Sequence, residues 1–93
     1  MMNIDFKWQL HKWRAITFIV LGRKHLAIET LEDMLADYPG DAYALGSLAH
    51  LYAEVGDKLA SINMYKKLVA KPDAPAFSWY NLGFLQEEMK QIA

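Results

Sequence analysis

Gly22 and Gly56 lie 34 residues apart, and Ala15, Ala49 and Gly83 follow one another at the same interval. Phe18 and Tyr52, Leu31 and Tyr65, Leu45 and Trp79, and Leu48 and Leu82 keep it as well. A period of this length spans one supersecondary unit, too short for a domain and too long for a single helix turn pattern. One such unit has too little surface to bury its own apolar face. The chain is therefore constrained to lay similar units side by side, each leaning on the next.

The units are helical. In residues 41–56, Leu45, Leu48, Ala49 and Tyr52 recur at three- and four-residue steps and share one face. In residues 57–72, Leu59, Ile62, Tyr65, Leu68 and Val69 do the same, with Lys58, Lys66, Lys67 and Lys71 mostly elsewhere. No stretch sustains a period of two, so the fold class is all-α. Gly22 and Gly56 stand where a helix ends, because glycine adopts the left-handed cap without a Cβ penalty. Asp41 and Asp57 stand where a carboxylate can accept the free N–H groups of a first turn. Pro39-Gly40 and Pro72-Asp73-Ala74-Pro75 break the chain between helices, with Pro75 suited to a first helical position. The reading predicts five helices, near residues 5–21, 24–37, 42–55, 58–71 and 75–91.

The pattern resembles the tetratricopeptide repeat. Trp79, Leu82 and Gly83 supply a W-x2-L-G element, Ala49 and Tyr52 a small residue with an aromatic three positions on. Ala27 and Leu31 form a small-x3-large pair, and Pro39 closes the unit. On this resemblance one domain, 1–93, contains repeats at 8–41 and 42–75 and the first helix of a third at 76–93. The implied fold is a right-handed superhelical solenoid of antiparallel helix hairpins. Ala15, Ala49 and Gly83 are expected against Ala27, Ser61 or a following repeat, because helices approach closely only where small side chains meet. Three departures stand out. Ser61 replaces an alanine, Pro72 comes one residue early, and His11 and Arg14 stand where the third copy has Trp79 and Leu82. The last predicts a rotated opening helix or a specialised cap whose outer side faces water.

The resemblance implies a protein-interaction scaffold whose first helices line a concave groove for a partner peptide or helix. The family's groove positions fall here at Lys12, Ile16, Ile19 and Val20, then at Tyr43, Gly46, His50, Ala53 and Glu54. The third copy adds Phe77, Tyr80, Asn81, Phe84, Glu87 and Glu88. Lys12 and Asn81 match two positions of the family's carboxylate clamp. Ile16 and Ser47 replace others, and Ala53, Glu54 and Glu88 give no second cationic ring, so a clamp is not expected. The last helix carries apolar residues all round. Trp79, Leu85, Met89 and Ile92 are accordingly expected to mediate self-association into a homodimer or higher oligomer.

Composition excludes several chemistries. The 93-residue chain is 54% hydrophobic and 23% charged, as a single globular domain should be. It has no cysteine, and so no disulfide, thiolate nucleophile or cysteine-bound metal. His11, His25 and His50 are isolated, Ser47 and Ser78 sit in no strained nucleophile turn, and Glu87 and Glu88 point to different azimuths. No enzyme, metal or cofactor is expected. The longest apolar run, AITFIVL at Ala15–Leu21, falls far short of the ~20 residues that cross a bilayer. With no secretory signal recognised, a cytoplasmic protein is expected.

Charge is unevenly spread. Residues 1–25 carry five cations against Asp5 alone, a balance of +4, and the rest five lysines against ten carboxylates, −5. End-to-end stacking of copies through these opposite ends is the alternative to groove binding. A weaker alternative is a peripheral membrane adaptor using Trp8, Trp13, Lys7, Lys12 and Arg14 in the stretch FKWQLHKWR. That stretch reads better as an amphipathic cap with snorkelling cations, and the acidic remainder argues against nucleic acid.

Overall fold

The computed structural model describes residues 5–92. It contains five helices, α1 (Phe6–Val20), α2 (Lys24–Asp37), α3 (Ala42–Glu54), α4 (Lys58–Val69) and α5 (Ala76–Ile92). Among the described residues there is no strand. Three helix starts are set by aspartates. The Asp5 carboxylate accepts the N–H groups of Lys7 and Trp8, Asp41 accepts from Ala44 and Asp57 from Ala60. Each bond satisfies a first-turn donor that has no partner within its helix.

The ends of α1 and α3 are built alike, 34 residues apart. Gly22 and Gly56 take φ of 75° and 89°, which an L side chain resists. The amide after each glycine closes the turn: Arg23 N–H donates to Phe18 O and Asp57 N–H to Tyr52 O, both at 2.8 Å. Gly22 and Gly56 themselves donate to Ile19 and Ala53. This is the Schellman motif, and it reverses the chain into α2 and α4. The other connection is less regular. α4 stops at Val69, two residues before the expected end, and the link 70–75 is longer than 38–41, with Pro72 in it.

Each helix packs chiefly on its neighbours in the chain, α1 on α2, α2 on α3, α3 on α4 and α4 on α5. The body measures 50 × 32 × 19 Å with a radius of gyration of 13.8 Å. A compact chain of this length would have roughly 12 Å, so the helices form an extended slab. The core is split in two. Ala15, Ala27, Leu31, Met34, Ala44, Leu48 and Leu51 form one cluster, and Leu45, Ala49, Ile62, Tyr65, Leu68, Leu82 and Leu85 the other. α3 supplies residues to both, and Leu35 and Met64 pack against both.

Close approach occurs where the small residues recur. Ala15, Ala27, Ala49 and Ser61 are all fully buried. The Ser61 hydroxyl donates to the Ala49 carbonyl at 2.6 Å, so the serine that replaces an alanine is satisfied without separating α3 from α4. α1 is not rotated. Ala15 keeps the buried register of Ala49, His11 turns towards α2 with Nε2 2.8 Å from Asp37 Oδ2, and Arg14 faces solvent. The outer side of α1 does face water, but it is not polar. It exposes Phe6, Leu10, Trp13, Val20 and Leu21.

A polar cluster fastens the start of α1. Tyr38 donates to Asp5, Trp8 Nε1 to Asp41 Oδ1 at 2.8 Å, and Lys7 Nζ stands 3.1 Å from Asp37. The Tyr38 hydroxyl holds the Asp5 carboxyl below its ordinary 3.8, and His11, then Lys7, do the same for Asp37. A depressed carboxyl favours the fold when ionised. Its contribution is complete above the unfolded value near 3.8 and is lost as pH falls through the lower folded value. On acidification below that point α1 is therefore expected to loosen first, seen as faster amide exchange at Trp8 and His11 than in α3. Asp37→Asn should flatten this acid response. The same bond raises the Tyr38 phenol to about 12, so Tyr38 should ionise late in an alkaline absorbance titration.

Candidate interaction groove

One face of the slab is cut by a cleft of about 410 Å³. Ile19 of α1 lines it, with Gly46, Ser47, His50, Leu51 and Glu54 of α3, Tyr65 of α4, and Phe77 and Asn81 of α5. A cleft of about 240 Å³ adjoins, lined by His50, Ala53, Lys58, Tyr65, Asn81, Phe84, Leu85 and Glu88. The two share His50, Tyr65 and Asn81, and so form one groove. Tyr65 is its floor: the ring is buried in the second core, and the hydroxyl accepts from Asn81 Nδ2 at 3.1 Å. At Gly46 an added Cβ would lie 3.8 Å from Leu68 Cδ2, an ordinary contact, so the glycine leaves room in the groove without relieving a clash.

The walls combine apolar edges with loosely held charge. Phe77 and Phe84 are more than half exposed on α5. Glu54 lies 3.1 Å from His50 and 3.7 Å from Lys24, and Glu88 3.5 Å from Lys58. All these side chains keep at least a third of their surface in water, where an ion pair is worth about 0–1 kcal/mol. An incoming cation can therefore replace either internal partner at little cost.

No protein-family model matches the chain, and no curated protein does either. The groove's chemistry must be read from its own side chains. Of the residues singled out by resemblance, the structure brings together Ile19, His50, Glu54, Phe77, Asn81 and Phe84. Lys12 and Tyr43 lie outside the cleft, with the Lys12 ammonium 5.3 Å from the Trp8 ring centroid and 5.4 Å from that of Tyr43. Ile16 is partly buried and lines neither cleft.

Several expectations are corrected. Tyr80 and Glu87 do not line the groove. They hold the register positions of Lys12 and Ile19 on α1, where the side chain points to the next first-type helix. On α5 that direction leads to solvent, and Glu88 is the acid that enters the cleft. Leu85 is not free for self-association: it is buried in the second core, and Met89 packs against that core. Trp79 is 58% exposed, and the Ile92 side chain lies outside the described residues. The membrane surface is not assembled either. Trp8 is bonded to Asp41 and edge-on to Tyr43, Lys7 is paired with Asp37, and only Trp13 and Arg14 of that set are exposed without such a tie.

Tyr65, Lys58 and Leu51 are groove residues that the sequence reading missed. Attention went to the first helix of each pair, whereas Tyr65 and Lys58 rise from α4. Among the described residues no helix is long and apolar enough to cross a membrane, and no cluster of three or more histidines and acids is arranged to hold a metal ion.

Proposed function

We propose that the chain is a non-enzymatic interaction module of tetratricopeptide type, holding an apolar segment of a partner protein in the groove between α1, α3 and α5. One observation carries the reading: three first-type helices turn Ile19, His50, Phe77, Asn81 and Phe84 onto a common cleft with a buried tyrosine as floor. The repeated Schellman turns, the neighbour-to-neighbour packing and the slab shape support a right-handed stacked array of hairpins. The ligand is an extended or helical segment with two or three bulky apolar anchors, seated along Phe77, Tyr65 and Phe84. A lysine or arginine beside them would meet Glu54 or Glu88.

A displayed library of random peptides, selected on the intact chain, tests this. The expected consensus is a pair of large apolar residues with a nearby cation. The double variant Phe77→Ala, Phe84→Ala should lose binding by about thirtyfold, as removal of ~2 kcal/mol of anchor contact does. Selected peptides that bind the double variant as well as the parent would place the binding surface elsewhere.

A further inference from the structure

The outer side of α5, away from the groove, repeats a surface that the chain covers twice. Gly83 holds the register position of Ala15 and Ala49, one and two 34-residue steps back. Both alanines are fully buried, the first in a core with Ala27 and the second directly beneath Ser61, whose hydroxyl reaches its carbonyl. Gly83 is exposed, and an added Cβ would find nothing within 4 Å. Trp79 repeats the comparison: its counterpart Leu45 is buried, whereas Trp79 is 58% exposed.

We infer that this face is an acceptor for an amphipathic helix of a partner protein, one that presents a small residue to Gly83 and a large apolar residue four positions later. The occupant's chemistry follows from the two covered layers. α2 offers Ala27 and Leu31, and α4 offers Ser61 and Tyr65, each a small residue at the crossing and a large one on the next turn. Only a small side chain lets two helices approach closely enough for the flanking large ones to be buried. A second copy's α5 does not supply the pattern, because Gly83 is followed four residues on by Glu87. Glu87 and Lys90 on this side form an exposed pair of opposite sign, so apolar fit rather than net charge selects the partner. The face is separate from the groove, and its occupancy does not depend on the groove's function.

A synthetic peptide covering residues 57–71, the chain's own α4 segment, is a direct probe. Added to the intact isotope-labelled chain, it should shift the Gly83 and Gln86 amide resonances saturably and leave the Phe84 and His50 amides in place. Gly83→Ala should keep the response, since alanine fills this position in both covered layers. Gly83→Leu, which has open space to fold into, should weaken it about tenfold or more. A peptide carrying Ser61→Leu should fail likewise. The inference is overturned if the peptide causes no shift or shifts only groove amides. It is equally overturned if Gly83→Leu binds like the parent, or if the same shifts grow with chain concentration alone, which would make a second copy the occupant.

Discussion

Leucine at position 49 should come close to unfolding the chain, whereas leucine at position 83 should stabilise it. The two positions share one place in the repeat and differ only in what lies above them. Ala49 is fully buried with Ser61 bonded to its carbonyl, so three added carbons must push α4 off α3. Overpacking of this kind costs about 1–3 kcal/mol, occasionally more, against a total of roughly 5–14 kcal/mol for a chain of this length. The melting temperature should fall by ~10–20 °C at the upper end of that cost. Gly83 meets nothing within 4 Å, and replacing a mid-helix glycine by a good helix former gains about 0.5–1 kcal/mol, or ~3–6 °C. Thermal melts of the two variants beside the parent check both signs. Equal effects at the two positions would mean that they are not equivalent sites with different cover.

The helices were legible because their signals are local. Asp41, Asp57, Gly22 and Gly56 act within a turn of where they stand, and each does in the structure what its residue type requires. The close crossings were legible for a similar reason, since only small residues fit there. The groove was legible in part. Carrying positions from one repeat to another places a side chain on a helix, but what it faces depends on the neighbouring layer. That is why Ile19 faces α3 while Glu87, at the same register, faces water. α5 was hardest to divide into faces, because Phe77, Trp79, Tyr80, Leu82, Phe84 and Leu85 surround its axis and no polar stripe marks the outside. Leu85 went to the wrong side for that reason. The outer side of α1 could have been read: Phe6, Leu10, Trp13, Thr17 and Val20 alternate at four- and three-residue steps, the spacing of a helix seam. The cations interleaved with them drew the reading towards a wet cap.

Tyr65→Ala is the substitution expected to damage both fold and groove, because this side chain belongs to each. Its ring is 3% exposed in the second core among Leu45, Leu68, Leu82 and Leu85, and its hydroxyl faces the cleft and accepts from Asn81. Removing a buried aromatic costs about 3–5 kcal/mol, the lost transfer energy together with the cavity left behind. The loss should fall on α5, which is held chiefly by α4. Amide exchange in 78–90 should rise well before that in α1 and α2, and a groove ligand should no longer bind because Phe77, Asn81 and Phe84 have lost their support. Tyr65→Phe separates the two roles. It keeps the ring and removes one hydrogen bond, a cost of about 1 kcal/mol, and frees Asn81 to turn into the cleft. Stability should then remain close to the parent, with ligand affinity changed a few-fold at most. If Tyr65→Ala left α5 as protected as before, the second core would not be what fixes α5, and Tyr65 could not be the support on which the groove walls stand.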